Sequence, residues 1–518
     1  MTHDEMIALL PLSHQHSKNF TLRVFEFVYS SSRYIFSSFT MYRVCHPPRT
    51  RSFGRTKKNR KLAFDQHHSL SSIFSSLPPT RSDQVVQYIM SSASETTPFQ
   101  NASPTGEIPS FNGDAKAQAS DFANYFCSYA QLYHQKQMLA DHNRMAAYHS
   151  AILGNQDVFR DKVVMDIGTG SGILAAWCAQ AGARKVYAIE YTDMAKHARK
   201  VMEHNGVSDI VTVIQSSVES VELPIEKDQL EIEPNEDGSE SFKCVDIIVS
   251  EWMGYFLLRE SMMDSVIRAR DKFLKQKTGY MFPSHTTMYI APVVDEEERK
   301  ANGSEYASAM SDWHDFAQTT NSVYGVDMSC LEQDFDREQK EYYQLSSRWT
   351  ELPPDAVLAD PKIIQIYDMM NCTIEQSRGI EANDPMATFD FDMNGTNLAG
   401  PISGIAGWFT ADFKSRTDSL VVPGVTPTLS HPAFLSTGPE NGYTHWGQQT
   451  FYFLSSIPLL KGERTQLTGH LEMMRTKENS RLYNCRITYS ASRRREEEKK
   501  DGAVLMKSGS TSQVYQIP

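Results

Sequence analysis

The feature that most constrains this fold is an alternation of short apolar runs with helix-forming segments between residues 162 and 252. The apolar runs have the length and β-branched content of buried strands, and the segments between them have helical spacing and end in glycine. Strands that alternate with helices in this way pair in parallel, so the sequence predicts an α/β fold with a doubly wound sheet. The predicted strands lie in KVVMDIG, KVYAIE, VTVIQSS and CVDIIVSEW, and the predicted helices in SGILAAWCAQAG and DMAKHARKVMEHNG.

The pattern changes after the FPSH stretch at residues 282–285. Five later segments alternate apolar and polar residues without intervening helices, which is typical of half-buried antiparallel strands. They predict a separate antiparallel β domain, or β-barrel, over residues 286–490, interrupted by helix-forming sequence at about 305–350. The five segments are TTMYIAPV, GIAGWFTADF, QTFYFLSSI, TQLTGHLEMM and RLYNCRITYS.

The flanking segments have different compositions. Residues 1–118 hold serine clusters and a basic run, which predicts a disordered or targeting N-terminal extension; an upstream extension with translation starting near Met90 is the alternative. Residues 119–285 comprise a helical lead-in and the α/β domain. An acidic insert at 226–241 is expected to form a surface loop, and residues 491–518 are expected to form a charged, solvated C-terminal tail.

The composition is that of an ordinary globular protein, with 40% hydrophobic and 22% charged residues. A net charge of −12 argues against direct nucleic-acid binding but not against a basic substrate. No apolar stretch is long enough to span a bilayer, so no membrane association is expected. The 7 cysteines are scattered and form no C-x-x-C pair, which argues against a disulfide scaffold or a metal site. A reducing compartment fits best, and we expect the cytoplasm and nucleus.

A glycine-rich loop, Asp166–Gly172 (DIGTGSG), follows the first predicted strand. Gly168 and Gly170 allow a sharp turn and let a bound molecule approach the backbone closely. The spacing is G-x-G-x-G rather than the G-x-G-x-x-G of dinucleotide sites, and no basic residue stands nearby to neutralise a pyrophosphate. Glu190 ends the second strand, where a carboxylate can accept hydrogen bonds from ribose hydroxyls. These features favour a nucleoside cofactor without phosphates, and we predict S-adenosyl-L-methionine.

Two further side chains are candidates for contact with this cofactor. Glu219 lies just past the third strand and can accept a hydrogen bond from an adenine amino group, although its position is equally compatible with an ordinary surface glutamate. Arg144 lies on the lead-in helix and can bind the cofactor's carboxylate, because a guanidinium binds carboxylates bidentately. By itself, an arginine on a helix is more often a solvated one.

Two glutamates lie near the ends of the stretch SEWMGYFLLRE, which follows the fourth predicted strand. Glu251 stands where open α/β sheets bind their ligands, and Glu260 returns after a run of aromatic and aliphatic residues. Two neighbouring carboxylates repel unless a cation lies between them, and a guanidinium offers five donors in a fixed plane. Such binding would hold charge toward one guanidinium nitrogen and leave electron density on the other for attack on a sulfonium methyl group. Salt bridges to neighbouring residues are the structural alternative.

These motifs resemble those of the protein arginine N-methyltransferase family. SEWMGYFLLRESM is similar to the family's double-glutamate loop, and other motifs follow in family order from about Tyr125 to Ser490. The resemblance implies a methyltransferase domain followed by a β-barrel, with a dimerisation arm near 305–350 and a head-to-tail homodimer. YHQKQML and FLLRESMMDSVIRARD are most similar to the plant-type tenth member. The other motifs are YFCSYA, MLADHNR, VVMDIGTGSGIL, AGARKVYAIE, SSVESVELP, FPSH, VYGVDM and THWGQQ.

The resemblance also assigns roles to individual residues. Glu251 and Glu260 would bind the substrate guanidinium, and His445 would pair with Asp141 as part of the catalytic set. The implied cofactor-binding residues are Tyr129, Gln135, Arg144, Gly168, Gly170, Glu190, Val218 and Glu219. The implied substrate pocket is formed by Tyr125, Met138, Tyr255, Met262 and Trp446. Many family members have histidine where this chain has Gln135, so we expect altered cofactor contacts without loss of activity.

The resemblance further implies the reaction and its product. Met138 and Met262 match positions whose methionines accompany asymmetric dimethylation, which is termed type I. We therefore expect mono- and asymmetric dimethylarginine on histone tails and Gly-Arg-rich RNA-binding proteins. The alternatives are a symmetric (type II) enzyme, a small-molecule methyltransferase built on the same sheet, and a catalytically weak arginine-binding scaffold.

Overall fold

The computed structural model describes residues 125–224, 231–234, 240–395, 400–414, 429–476, 481–497 and 503–517. The extension predicted over residues 1–118 lies outside these ranges, and so do parts of the acidic insert. All of the described residues belong to one compact unit of the chain, Pro98–Pro518.

A five-stranded parallel sheet organises the first half of the described chain. The strands of this half are β1 (Val163–Ile167), β2 (Lys185–Glu190), β3 (Val211–Gln215), β4 (Glu231–Pro234), β5 (Glu240–Lys243), β6 (Ile247–Ser250) and β7 (Tyr280–Phe282). The helices are α1 (Leu132–Leu139), α2 (His142–Leu153), α3 (Gln156–Phe159), α4 (Ile173–Gln180), α5 (Met194–His204) and α6 (Met263–Phe273). The sheet order is β3-β2-β1-β6-β7, and every neighbouring pair is parallel. The predicted doubly wound α/β domain is confirmed.

The parallel strands are apolar because helices cover both faces of the sheet. All residues of β1 and β6 are buried, and in β2 only Lys185 is partly exposed. Helix α5 contributes one apolar face to this core, formed by Met194, Ala195, Ala198 and Met202. Strands buried on both faces have continuous apolar sequences. This explains why the four strands predicted from the sequence lie close to the observed ones.

The acidic insert contains paired backbone where the sequence predicts only a loop. β4 and β5 form an antiparallel hairpin, with Glu231 opposite Lys243 and Pro234 opposite Glu240. The hairpin makes a separate two-stranded sheet and does not extend the parallel one. The remaining insert residues lie outside the described ranges.

Two antiparallel sheets form the second half of the described chain. Its strands are β8 (His285–Val293), β9 (Arg348–Thr350), β10 (Lys362–Asp368), β11 (Gly379–Ile380), β12 (Thr388–Asn394), β13 (Ile402–Phe413), β14 (Ala433–Ser436), β15 (Gln448–Ile457), β16 (Glu463–Arg475), β17 (Tyr483–Arg495), β18 (Val504–Lys507) and β19 (Thr511–Ile517). One sheet has the order β10-β8-β13-β15-β9, with β14 on β13; the other has the order β11-β16-β17-β18, with β12 on β16 and β19 on β17. This is the β-barrel domain predicted to follow the α/β domain.

A helical arm interrupts the barrel between β8 and β9. It consists of α7 (Glu296–Tyr324) and α8 (Glu332–Tyr343), and a short helix, α9 (Ile374–Ser377), follows later in the chain. Trp313 stacks on Phe335 with 4.4 Å between the ring centroids, and the Tyr306 hydroxyl donates to Asp336. Helix α7 buries only Asn302 and α8 buries none of its residues in this single chain. The arm therefore holds itself together but exposes most of its surface.

The predicted charged tail over residues 491–518 is wrong in its described part. β17 continues to Arg495, and β19 pairs with β17 from Tyr489–Thr511 to Tyr483–Ile517. Tyr515 and Ile517 are fully buried, since the alternating sequence TSQVYQI directs them into the barrel. The Arg-rich run suggested solvent exposure, yet Arg493 and Arg494 end the strand with Glu463 and Asp392 as partners.

Aromatic packing joins the parallel domain to the barrel. Phe413 of β13 contacts Tyr148 of α2 at 4.8 Å between ring centroids, and Phe256 contacts Phe451 of β15 at 5.6 Å. One hydrophobic core cluster therefore spans both domains. Just past the carboxyl end of β6, Met253 O accepts from Trp446 Nε1 of the barrel. Within the described ranges, the helices are too short or too polar to cross a membrane, and no three His, Cys, Asp or Glu side chains group as metal ligands would.

Candidate active site

The glycine loop, defined as Asp166–Gly172, turns sharply between β1 and α4. Gly168, Gly170 and Gly172 have φ values of +69°, +55° and +89°, a region that side-chain-bearing residues rarely adopt. The backbone N–H groups of Gly168 and Thr169 both donate to Ile189 O, at 2.9 and 3.0 Å. A Cβ at Gly168 would collide with the terminal methyl group of Met262. The loop therefore leaves backbone exposed in a narrow cradle that only glycine permits.

Glu190 is fixed at the carboxyl end of β2, directly beside the glycine loop. One carboxylate oxygen accepts from Gly170 N at 2.9 Å, and the other accepts from Thr192 N and Oγ1 at 2.8 and 2.7 Å. The side chain is buried. The sequence therefore placed this carboxylate correctly next to the loop, and its orientation is set by local hydrogen bonds.

Asp166 is a buried carboxyl at the base of the same loop. Oδ2 accepts from Thr169 Oγ1 at 2.6 Å, and the backbone of Ala175 also bonds to this carboxylate. Burial raises the pKa of Asp166 to about 7, since desolvation disfavours its charged form. Asp166 therefore supports the glycine loop from below.

Gln135 connects the lead-in helix to the glycine loop. Its Oε1 accepts from Ser171 N at 3.2 Å, and its Nε2 donates to Tyr129 O at 3.2 Å. A Cβ built on Gly170 would lie 2.6 Å from the same Oε1 atom. Gln135 therefore lies against the loop and ties it to the aromatic segment, which we define as residues 125–129.

The double-glutamate loop, residues 251–261, contains an unusual cluster of left-handed residues. Phe256, Leu257, Glu260 and Ser261 have φ values of +46°, +67°, +87° and +59°, although none is glycine. Each such residue costs about 1–2 kcal/mol, so the surrounding contacts must hold this conformation. The loop returns on itself through a hydrogen bond from Gly254 N to Leu257 O at 2.9 Å.

Glu251 forms a buried ion pair with Arg144. Arg144 Nε and Nη2 both donate to Glu251 Oε2, at 3.0 and 2.8 Å, and both side chains are only 9% exposed. The sequence predicts that Arg144 contacts the cofactor's carboxylate, and the structure adds Glu251 as a protein partner of the same guanidinium. The reason is electrostatic, because a buried carboxylate requires a nearby counter-charge.

Glu260 accepts hydrogen bonds from two tyrosines of the aromatic segment. Tyr125 OH donates to Oε2 at 2.9 Å, and Tyr129 OH donates to Oε1 and Oε2 at 3.1 and 2.9 Å. Burial raises the pKa of the Glu260 carboxyl, and the charge of Glu251 raises it further. The two carboxylates are therefore close enough to interact electrostatically, as a shared cationic ligand requires. Tyr125 and Tyr129, predicted to lie over cofactor and substrate, contact a catalytic candidate directly.

The THW loop, Thr444–Trp446, joins the barrel to the lead-in helix. His445 Nδ1 lies 2.7 Å from Asp141 Oδ2, and His445 N donates to the same oxygen at 2.9 Å. Asp141 Oδ1 caps α2 by accepting from Arg144 N at 3.0 Å. Although burial opposes ionisation, the hydrogen bonds from His445 and Arg144 lower the pKa of Asp141. Trp446 Nε1 donates to Met253 O at 2.8 Å, so the loop also contacts the double-glutamate loop.

The other predicted residues are less tightly connected. Glu219 is exposed and accepts from Ser265 Oγ at 2.8 Å, while Val218 is buried. Met138, Tyr255 and Met262 are half-buried, and Met138 contributes its carbonyl to Arg144 Nη1 at 3.3 Å.

Two residues near the site were missed from the sequence. Arg481, just before β17, stacks on the aromatic segment, with 3.9 Å between its guanidinium carbon and the Tyr125 ring centroid. Trp349 of β9 donates from Nε1 to His445 O at 3.1 Å. Neither stands in a motif that indicates such a contact, and only the folded chain brings them to the site.

Comparison with known proteins identifies the family to which this chain belongs. Residues 284–494 match the family described as "Arginine methyltransferase oligomerization subdomain", and residues 151–232 match "Ribosomal protein L11 methyltransferase (PrmA)". The chain, a methyltransferase domain with a barrel, belongs to the protein arginine N-methyltransferase family.

Plant PRMT10 proteins are among its most similar relatives. The chain is 44% identical over 393 residues to protein arginine N-methyltransferase PRMT10 of Oryza sativa subsp. japonica, covering 73% of this chain and 93% of the relative. It is 42% identical over 385 residues to PRMT10 of Arabidopsis thaliana, covering 73% and 91%. The resemblance to the plant-type tenth member is therefore confirmed.

Solved structures agree with this family. The crystal structure of Arabidopsis thaliana protein arginine methyltransferase 10, described as a uniquely open conformation, has a TM-score of 0.64 and 37% identity, covering 76% of this chain and 100% of that one. The Trypanosoma brucei PRMT1 enzyme-prozyme heterotetrameric complex with AdoHcy has a TM-score of 0.52 and 25% identity, covering 76% and 100%.

Family membership identifies S-adenosyl-L-methionine as the methyl donor. The described residues fit this cofactor. Gly168 and Gly170 form a cradle that side chains would fill, and the Glu190 carboxylate stands at the neighbouring strand end, bonded to Gly170 N.

Proposed function

We propose that this protein arginine N-methyltransferase is a type I enzyme that forms mono- and asymmetric dimethylarginine. The observation that carries the proposal is the placement of two interacting carboxylates, Glu251 and Glu260, on one strained loop at the carboxyl ends of the parallel strands. Arg144 already compensates the charge of Glu251, whereas the Glu260 carboxylate accepts from two tyrosine hydroxyls and is compensated only in part by the nearby charge of Arg259. The arrangement therefore favours one additional cation, and a substrate guanidinium has the required plane of donors.

The proposed mechanism is binding and orientation by the chain's own groups. Glu251 and Glu260 hold the guanidinium and draw its positive charge toward one nitrogen, leaving electron density on the other. S-adenosyl-L-methionine, when bound, supplies an electrophilic methyl group on a sulfonium. A nitrogen that forms a bond to this methyl group must lose a proton, and the raised pKa of Glu260 favours that residue as acceptor.

The THW loop is proposed to close the arginine pocket. His445 is anchored by two contacts to Asp141, and Trp446 is anchored to Met253 in the double-glutamate loop. The barrel thereby reaches both the lead-in helix and the double-glutamate loop. We assign His445 and Asp141 a catalytic positioning role on this basis.

The type I assignment is supported by two methionines near the proposed site. Met262 directly follows the double-glutamate loop and lies against Gly168, and Met138 lies beside Arg144. Both are half-buried, and their flexible side chains shape space without supplying polar groups.

We further propose a homodimer that acts on arginines in basic, disordered segments such as Gly-Arg-rich or histone-tail sequences. The oligomerization-subdomain match and the exposed apolar side chains of the arm, including Phe316 and Tyr324, support self-association. The net charge of −12 favours the approach of basic segments.

Mass spectrometry of a Gly-Arg-rich peptide after incubation with the full chain and S-adenosyl-L-methionine tests this proposal. Asymmetric dimethylarginine is the expected product. A Gly-Lys-rich peptide of the same length is the control, and we expect it to remain unmodified. Symmetric dimethylarginine would contradict the type I assignment. Methylation of free guanidino metabolites in preference to the peptide would contradict the protein substrate.

A further inference from the structure

Arg481 makes reciprocal contacts with Glu260 across the domain seam. Arg481 Nη1 donates to Glu260 O at 3.0 Å, and Glu260 N donates to Arg481 O at 2.9 Å. The same Arg481 carbonyl accepts from Arg259 Nη1 at 3.1 Å. The bonds between Arg481 and Glu260 hold the main chain at Glu260, whose φ of +87° is strained for a residue other than glycine.

The Arg481 guanidinium also covers the aromatic segment. Its carbon lies 3.9 Å from the Tyr125 ring centroid and 4.8 Å from that of Phe126, within the range of a cation–π contact. Tyr125 is one of the two tyrosines that donate to Glu260. Arg481 therefore holds both the backbone of Glu260 and a side chain that binds its carboxylate.

Tyr191 holds the aromatic segment from the opposite side. Its ring lies 4.5 Å from that of Phe126, and it directly follows Glu190 at the end of β2. Phe126 thus lies between a barrel residue, Arg481, and a residue of the parallel domain. The aromatic segment spans the seam and is fixed at both of its sides.

We propose that Arg481 is a positioning residue for methyl transfer, which acts by fixing Glu260 and the aromatic segment in the geometry seen here. It does so from the barrel, so the barrel contributes directly to the alignment of a carboxylate that belongs to the methyltransferase domain. The inference rests on the proposed role of Glu260 in binding the substrate guanidinium.

The required chemistry explains why arginine suits this position. A guanidinium can donate to a carbonyl at its edge while its flat face stacks on an aromatic ring. Lysine retains the charge but has neither the planar face nor several donors in fixed directions. Leucine retains much of the apolar stem but neither contact.

The test compares Arg481→Leu and Arg481→Lys with Arg464→Leu in the full chain. Arg464 is the matched control because it is a partly buried arginine of the same sheet, paired with Asp392 away from the site. kcat and KM are measured with a Gly-Arg-rich peptide, and Kd is measured by calorimetry with S-adenosylhomocysteine. We expect kcat to fall by on the order of tenfold to a hundredfold in Arg481→Leu and by less in Arg481→Lys, from the loss of the hydrogen bond to Glu260 O and of the two cation–π contacts.

Hydrogen exchange separates positioning from general stability. In Arg481→Leu, amide exchange is expected to accelerate in residues 125–131 and 256–261 and to stay unchanged in strands β8 and β13. Unchanged kcat and unchanged exchange at both segments would overturn the inference. Equally, a loss of activity accompanied by faster exchange throughout the chain, in both Arg481 variants, would assign Arg481 a merely structural role and overturn it.

A double variant with Tyr125→Phe provides a further check. If Arg481 acts through Tyr125 and Glu260, the two losses in kcat are expected to be less than additive on a free-energy scale. Strict additivity would overturn the proposed connection. The role of Glu260 is tested separately by Glu260→Gln. Retained turnover in that variant would contradict the proposed function, whatever the Arg481 variants show.

Discussion

The two halves of the site differ in how far apart their residues lie in the chain. In the cofactor half, the glycine loop and Glu190 are joined by a bond that spans 20 residues, from Gly170 N to Glu190. In the guanidinium half, Tyr125 reaches Glu260 across 135 residues and His445 reaches Asp141 across 304. The first half is therefore built by local βαβ structure, and the second is completed only when the lead-in segment and the barrel pack against the parallel domain.

The halves also differ in how they accommodate left-handed backbone. The cofactor half places it on Gly168, Gly170 and Gly172, where it costs little. The guanidinium half places it on Phe256, Leu257, Glu260 and Ser261, where it is strained. That strain is opposed by contacts from elsewhere, such as Arg481 with Glu260 and Ser261 Oγ with Tyr483 OH at 3.2 Å. The guanidinium half should therefore be the easier of the two to disrupt from a distance.

The largest effect is expected from Glu251→Gln, which removes the charge that compensates buried Arg144. Breaking a buried ion pair typically costs about 3–5 kcal/mol, and we expect the free energy of unfolding to fall by an amount toward the lower end of that range. Methyl transfer should fall by about 10²–10³-fold, because preorganised charge is lost. Urea unfolding and a peptide methylation assay measure the two effects. Asp392→Asn, which disrupts an ion-pair cluster of the barrel, is the control that should leave transfer unchanged.

His445→Gln is expected to have the next largest effect on stability, with a characteristic pH dependence. The variant loses the ring contact to Asp141, which should lower stability by about 1–3 kcal/mol at neutral pH and reduce transfer about tenfold. The folded pKa of Asp141 lies below its unfolded value, so its stabilising contribution is present above about pH 4 and is lost as the pH falls through the folded pKa. Unfolding followed from pH 7 to pH 2 should therefore show the two proteins converging at low pH. A difference that stays constant over this range would contradict the Asp141 assignment.

Tyr129→Phe is expected to affect transfer more than cofactor binding. It removes a donor that lies 2.9 and 3.1 Å from the two Glu260 oxygens, and a hydrogen bond to a charged group contributes about 1.5–3 kcal/mol. We expect kcat to fall on the order of tenfold to a hundredfold, with S-adenosylhomocysteine affinity changed much less. Tyr133→Phe is the matched control, since Tyr133 is an exposed tyrosine of α1. Equal kcat values for the two variants would show that the Tyr129 hydroxyl does not support Glu260.

The smallest effect is expected in the cofactor half, from Gly170→Ala. The new Cβ would meet Gln135 Oε1 at 2.6 Å, but that amide ends a flexible side chain, so the main cost is the left-handed backbone, about 1–2 kcal/mol. The affinity for S-adenosylhomocysteine, measured by calorimetry, should fall about tenfold. Part of this loss should be recovered in the double variant that combines Gly170→Ala with Gln135→Ala. Gly206→Ala provides the control, because Gly206 has a φ of +67° and open space around it. An equal loss of affinity in Gly206→Ala would assign the effect to strain at any position.

The sequence was sufficient to predict the cofactor half and the fold. Continuous apolar runs predicted β1, β2, β3 and β6, and the glycine spacing placed the loop that precedes α4, because these features depend on neighbours in the chain. The final strand β19 was missed because the Arg-rich run before it dominated the composition. The ion pair of Arg144 with Glu251 was not predicted, since the two residues lie 107 positions apart on different elements; the contact of Arg144 with the cofactor stays a prediction.

The guanidinium half shows where sequence reasoning needs a family or a structure. Glu251 and Glu260 were recognisable as unusual carboxylates among apolar residues, but the contact between His445 and Asp141 came only from the family resemblance. Arg481 was not found by either route. Its role depends on a stacking geometry and on a carbonyl, and neither leaves a signal in the sequence.

The measurement that tests the central claim most directly is methyl transfer by Glu260→Gln, made alongside calorimetry with S-adenosylhomocysteine. We expect a dissociation constant within about twofold of the unmodified protein and a loss of transfer of about 10³-fold, because glutamine keeps the shape of the side chain but not its charge. Retained turnover on a Gly-Arg-rich peptide, with the cofactor site intact, would contradict the claim that Glu260 binds the substrate guanidinium.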